Sequence, residues 1–317
     1  MYRYVIRRVL LMIPVIIGVS FLVFIILDLA PGSVVDIILP TDATDELRAQ
    51  VTHELGLDQP VLARYVQFFW GMLHGDFGYS YVLEQNVLDI YLSRLPATTY
   101  LAIVAVVVAI ALSIPLGIFA ATHHGSIIDN LSVVLSLIGM SMPGFWLGVL
   151  LMLVFSLWLG WLPSGGNETA VSVILPAITL GLHMMASLTR TTRSSMLDVL
   201  NQEYLRFARA KGTPERRIIR KHALKNALIP IITIIGTMLA AGLGGSVITE
   251  TVFSWNGVGR LVVDAINSRD TNLATGSIIM TTILLSVVLL LVDLLYAAVD
   301  PRIKAQYSMK GGKKKHA

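Results

Sequence analysis

The chain has 317 residues, 55% hydrophobic and only 14% charged, with a formal net charge of +4 and no cysteine. So little charge cannot coat a soluble domain of this length, and without thiols neither a disulfide framework nor a thiolate metal site can form. The basic balance (pI about 9.3) would suit a nucleic-acid partner, but the Lys and Arg residues sit at helix ends and in one connection, where a membrane explains them better.

A helix needs about 20 mostly apolar residues to cross a hydrocarbon layer roughly 30 Å thick. Val9–Leu27, between Arg8 and Asp28, is the first such run. Its basic flank resembles a secretory signal, but it is long for one and no small-x-small cleavage site follows, so it reads as a retained helix. The stretch 30–96 is then too long for a simple turn. Within it Asp42–Leu57 and Val61–Leu73 have helical apolar spacing, and Gly75-Asp76-Phe77-Gly78 breaks the pattern. This segment reads as an extracytoplasmic cap or as a ligand-binding module. His53-Glu54 does not continue to a zinc-protease HExxH pattern, because Leu57 stands where the second His is needed.

Further spans are expected at Thr99–Ala121, Leu131–Trp158, Val171–Leu188, Leu228–Ile248 and Ser277–Val299, giving six. Pro115, Pro143 and Pro176 free carbonyls that neighbouring helices must satisfy. Gly242, Gly244 and Gly245 permit close helix approach. Both features describe a packed bundle. The first-helix flank (Arg3, Arg7, Arg8), the connection before the fifth helix and the C-terminal tail (Arg302 to Lys315) concentrate the basic residues, and six crossings put all three on one side. That side is the cytoplasm, with both termini on it. The opposite connections agree: 159–170 has no basic residue, and 30–96 has three Arg against nine acidic residues.

The connection between the fourth and fifth helices is the informative one. Asp198–Ala210 can form a helix, with Gly212 as its C-terminal glycine. Thr213-Pro214-Glu215 reads as N-cap, N1 proline and acidic first turn of a second helix to about His222. A basic patch on anionic lipid explains the charge. Docking of a partner explains in addition the capped helices and the buried-type spacing of Leu205, Ala208, Ile218 and Ile219. Asp28, Glu250, Asp293 and Asp300 are expected near helix ends where water reaches them, Asp293 being the deepest and suited to structural pairing. His183 reads as a hydrogen-bonded packing residue, and His123-His124 as no metal site. No phosphate-binding loop, nucleophile elbow or metalloprotease motif occurs, so no catalytic or metal residue is assigned. Any uphill transport would draw on an ion gradient or a partner ATPase. An ion-driven carrier should show inverted repeats and mid-membrane acids, which are not evident.

The run Glu203-Tyr204-Leu205-Arg206-Phe207-Ala208-Arg209-Ala210-Lys211-Gly212, followed by His222 to Pro230, resembles the coupling loop of ABC importer permeases, in particular the dipeptide/oligopeptide/nickel branch. Leu29-Ala30-Pro31-Gly32, Gly56 to Pro60, Gly75 to Ser80, Arg94 to Thr98 and Glu250 to Arg260 extend the resemblance over nearly the whole chain. Arg206-Phe207-Ala208 stands where the general pattern has Glu-Ala-Ala, Asn256 where proline is common, and Thr271-Asn272 where Tyr-Pro is frequent. The resemblance implies an all-α, type I importer membrane fold in a bacterial cytoplasmic membrane. It divides the chain into a first helix (1–29), an outer segment (30–96), a permease core (97–300) with coupling helices at 198–225, and a basic tail (301–317). It further implies a second homologous permease subunit, two ATPases holding ATP and Mg, an external solute-binding protein, no cofactor on this chain and no nucleic acid. The ATPase-coupling residues it implies are Glu203, Ala208, Arg209, Ala210, Lys211, Gly212, His222 and Asn226. Peptides are the expected solute, with nickel or glutathione as alternatives.

Overall fold

The computed structural model describes residues 2–29, 34–40 and 42–299. In chain order the helices are α1 (Tyr2–Asp28), α2 (Val34–Ile38), α3 (Asp45–Glu54) and α4 (Val61–Leu73). A hairpin of β1 (Tyr79–Ser80) and β2 (Gln85–Asn86) follows. Then come α5 (Val87–Thr122), α6 (Ile127–Ser141), α7 (Gly144–Leu151), α8 (Ile174–Leu200) and α9 (Glu203–Ala210). The chain continues with α10 (Glu215–Arg217), α11 (Leu224–Gly245), α12 (Val247–Val252), α13 (Val258–Asn267) and α14 (Thr271–Val299). Tail residues 300–317, including Asp300, and Ala30-Pro31-Gly32 lie outside the described residues.

Among the described residues five helices are long and apolar enough to cross a membrane, and the bent pair α6–α7 makes a sixth if it is counted as one span. The expected third span is not one helix. It breaks between α6 and α7 through 100°. Met142, before Pro143, takes an extended conformation (ψ 126°), which is what proline imposes on its predecessor. The polypeptide then turns π-helical over Met152–Trp158. Pro96, Pro115 and Pro230 lie inside helices that continue through them. The helix expected from Thr99 starts twelve residues earlier, at Val87. The helix expected to end at Leu188 runs to Leu200.

The larger of two core clusters is threaded by α5, α8 and α11, and the second joins the start of α5 to α13 and α14. Glycine sets the α5–α8 spacing: a Cβ on Gly117 would lie 2.6 Å from the Cβ of Thr192, and one on Gly181 would lie 3.0 Å from the Ala105 carbonyl. Gly242 likewise meets Ala102. At the inner end Arg8 pairs with Asp293 at 3.0 Å, joining α1 to α14, so the expected structural pairing of Asp293 is seen. Also there, Ser126 caps α6, its hydroxyl accepting from the amide of Asp129. The Asp129 carboxylate is buried and held by Arg193, His124 and the Gly125 amide. His124 is thus part of an ion-pair cluster, and no metal-holding group occurs among the described residues. His183 is exposed and has no hydrogen-bond partner among the described residues, unlike the packed residue expected.

On the outer side α4 packs on α1 through Tyr65, whose hydroxyl meets the Ser20 hydroxyl at 2.9 Å. Asp28 pairs with Arg64 at 2.6 Å. Glu250 departs most from expectation. It is fully buried rather than water-accessible. Its Oε1 accepts from the Thr98 hydroxyl (2.7 Å) and the Ser246 hydroxyl (2.8 Å), and its Oε2 accepts from the Arg260 amide (3.0 Å). The loop 253–260 wraps around it. Val258 N–H donates to Thr98 (2.8 Å), Trp255 Nε1–H donates to the Ala97 carbonyl (3.0 Å), and a Cβ on Gly257 would strike the carboxylate at 2.5 Å. A buried carboxylate persists only where such donors surround it.

Candidate functional site: the coupling segment

The segment between α8 and α11 is built on three buried side chains. Leu205 of α9 and Ile218 and Ala223 beyond it are all inaccessible to solvent, and they join the cluster that includes Met196 of α8 and Ala227 and Ile231 of α11. Fully burying a Leu or Ile side chain contributes about 1.5–3 kcal/mol each, enough to fix an eight-residue helix that would not fold alone.

Helix α9 ends as a glycine-terminated helix should. Gly212 has φ +77°. Its amide donates to Arg209 O (2.9 Å), and Thr213 N–H donates to Ala208 O (3.2 Å). These two bonds satisfy the carbonyls that a helix end leaves open. No atom lies within 4 Å of a Cβ placed on Gly212, so the glycine answers to backbone conformation and not to crowding. The next helix differs from the expected one. Pro214, not Thr213, holds the N-cap position, and no side chain caps it. Nor does that helix stop at His222. It passes through a π-helical turn, Ile218–Ala223, directly into α11. The second expected helix is therefore the inner end of the fifth span, and Asp198 belongs to α8.

Two polar clamps lock α9 against this continuous helix. Arg209 forks onto Glu215, Nη2 to Oε1 at 2.8 Å and Nε to Oε2 at 3.1 Å. The carboxylate beside it holds the Arg209 guanidinium above its ordinary range. Asn226 Nδ2–H donates to the Tyr204 hydroxyl (2.7 Å) and to the His222 carbonyl (3.0 Å). Of the eight residues expected to couple, Ala208, Arg209, Ala210, Lys211 and Gly212 form the α9 end and its turn. Asn226 reaches that helix through the Tyr204 hydroxyl, and the His222 carbonyl accepts from Asn226. Glu203 is exposed at its start. Arg209 is already committed within the chain, so Lys211 is the exposed cation of that turn.

Phe207 was missed. Its side chain is 67% exposed, and Tyr204 one turn earlier is 42% exposed. The available signal was phase: with Leu205 and Ala208 facing inward, an aromatic at 207 must face out. A rigid helix carrying an exposed aromatic, a cation and a glycine turn is a surface suited to insertion into a groove on another protein.

Comparison with known proteins agrees with this architecture. The family described as binding-protein-dependent transport system inner membrane component matches residues 113–305, and its N-terminal membrane component matches residues 1–102. The oligopeptide transport system permease protein AppB of Bacillus subtilis (strain 168) is 41% identical over 315 residues, covering 96% of this chain and 100% of that protein. The dipeptide transport system permease protein DppB of Escherichia coli (strain K12) is 38% identical, covering 96% and 99%. The glutathione transport system permease protein GsiC of the same strain is 40% identical, again covering 96% and 99%. An inward-facing structure of the MetNI methionine ABC transporter shares the fold, with TM-score 0.56 and 18% identity over 67% of this chain and 97% of that one. The chain belongs to the binding-protein-dependent inner-membrane permeases of ABC importers, and it is a multi-pass protein of a bacterial inner membrane.

Proposed function

We propose that this chain is the pore-forming subunit of an ATP-driven importer of di- and oligopeptides. A second, homologous permease subunit completes the pore. Two ATPases, which hold the ATP and Mg, dock on the cytoplasmic face around α9. A solute-binding protein delivers the peptide from outside. The observation that carries this reading is α9 itself: an exposed helix whose inward face is buried in the same cluster as α5, α8 and α11. Closure of a docked ATPase dimer would then move those helices as one body. The peptide solute is supported by the two peptide-permease relatives. The glutathione permease at 40% identity supports a second reading, in which the solute is that peptide-like thiol.

Phe207→Ala tests the docking. The residue is exposed, so stability should shift by no more than about 0.5 kcal/mol. Loss of an aromatic seated in a partner groove costs about 2 kcal/mol or more, roughly a thirtyfold loss of ATPase affinity. Co-purification of the ATPases and peptide-stimulated ATP hydrolysis should both fall while membrane levels hold. Unchanged ATPase retention and hydrolysis would show that α9 is not the docking element.

A further inference from the structure

A groove between α6 and α8 holds a polar group that the proposed function does not use. The cavity is about 150 Å³ and opens at the cytoplasmic half of the bundle, between Ser132–Met140 and Thr189–Arg193. Thr189 lines it; only 3% of the residue is accessible, and its buried hydroxyl has no hydrogen-bond partner among the described residues. Buried hydroxyls are seldom left unpaired. Next to it Arg190 lines the same groove and has no ion pair or hydrogen bond among the described residues. Arg193, the other cation there, is committed to Asp129.

The rest of the groove is apolar. Val133, Leu137 and Met140 recur at i, i+4 and i+7 on α6, all exposed. At 1.5 Å per residue they run from about 9 to about 20 Å along the helix from its inner end. A cationic and hydroxylic head therefore sits at the mouth of an apolar trough within the cytoplasmic leaflet. That is the chemistry of an anionic phospholipid: phosphate oxygens can accept from a guanidinium and a hydroxyl while an acyl chain lies against aliphatic side chains. A peptide solute would leave its backbone amides unsatisfied along such a wall.

We propose that this groove binds one anionic phospholipid, with the phosphate held by Arg190 and the Thr189 hydroxyl and an acyl chain along Val133, Leu137 and Met140. The site holds α6 against α8 beside the break at Pro143, and it makes the inner leaflet's composition part of the permease's structure.

The test uses the whole importer complex, purified in mild detergent and titrated with phosphatidylglycerol or phosphatidylcholine under native mass spectrometry. The unaltered complex should retain phosphatidylglycerol in preference to phosphatidylcholine at this chain. Arg190→Gln should weaken phosphatidylglycerol retention about tenfold, the loss expected for one charge-assisted hydrogen bond, and leave phosphatidylcholine unchanged. Leu137→Trp keeps both polar groups and fills the trough, so it should remove either lipid. Equal phosphatidylglycerol retention in all three proteins would overturn the proposal. So would a raised KM for peptide in Arg190→Gln with lipid retention intact, which gives the groove to the solute. Loss of the second permease subunit from Leu137→Trp without loss of lipid would give it to that subunit instead.

Discussion

Replacing Glu250 by Gln changes one oxygen to an amide and leaves the volume almost unaltered, so it isolates the polar part of the outer knot. If the amide keeps its oxygen toward Thr98 and Ser246, its NH2 meets the Arg260 N–H, donor against donor. If it turns over, the NH2 faces two hydroxyls, one of which already accepts from Val258 N–H. Either way at least one buried donor loses its acceptor, a cost of about 1–3 kcal/mol. For a protein of this size that corresponds to a fall in Tm of about 2–10 °C. Glu250→Ala strands three donors and leaves a cavity, so its fall should be larger. Scanning fluorimetry on protein in lipid nanodiscs, at one scan rate because membrane proteins unfold irreversibly, reads the rank order. Thr98→Val combined with Glu250→Gln should lose less than the sum of the two changes, with a coupling of about 0.5–3 kcal/mol. Melting of Glu250→Gln together with the unaltered protein, or strict additivity with Thr98→Val, would refute the knot as described.

Two further outcomes follow from local geometry. At Gly212 the penalty is conformational, because a Cβ there meets nothing; peptide-stimulated ATP hydrolysis should therefore rank Gly, Asn, Ala, Val, in the order in which residues tolerate positive φ. A Val variant as active as Gly would remove the turn from the coupling mechanism. At the α3–α4 corner the exposed His53 Nδ1 and Asp58 Oδ2 lie 2.7 Å apart, and this hydrogen bond raises the pKa of His53 and lowers that of Asp58. The pair's contribution is complete below the unfolded His value near 6.5, as long as Asp58 stays ionised, and is lost as pH rises through the raised value of His53 or falls through the lowered value of Asp58. Amide exchange over residues 53–59, corrected for its intrinsic pH dependence, should speed up as pH climbs past the raised His53 value. His53→Gln should lack that step; its persistence would assign it to another group.

The membrane-spanning runs were legible because they rest on an additive signal, apolar length. The α4 limits Val61–Leu73 are those expected from spacing, and Gly212 adopts the left-handed conformation its place after α9 required. Features that depend on tertiary partners were not legible. Four of the prolines sit in helices that continue, at Pro14, Pro96, Pro115 and Pro230, so Pro143 alone could not announce a break. Glu250 reads from the sequence as a helix-end charge, yet one of its donors, Thr98, lies 152 residues away. The continuity of α10 with α11 was hidden for the same reason. A basic, proline-marked stretch reads as a loop until burial of Ile218 and Ala223 is seen to hold it in the helix.

The same cluster bears on how force could cross the bilayer. It begins at Leu205 of α9 and continues through Met196 and Leu188 of α8 and Leu101 and Ala105 of α5. It ends at Trp255, the indole that donates to Ala97 beside the Glu250 knot. Close-packed interiors transmit strain because they have little room to deform. At Gly117 and Gly181 the α5 and α8 backbones approach so closely that a single methyl group would collide with the partner helix. These two helices therefore cannot slide independently without changing many contacts at once. Helix α6, by contrast, meets this unit at a groove lined by Thr189, whose hydroxyl has no partner among the described residues, and ends at the Pro143 break. On the proposed docking at α9, α5, α8, α9 and α11 are the body that an ATPase would turn, and the α6–α7 elbow is where the bundle would yield as that body moves.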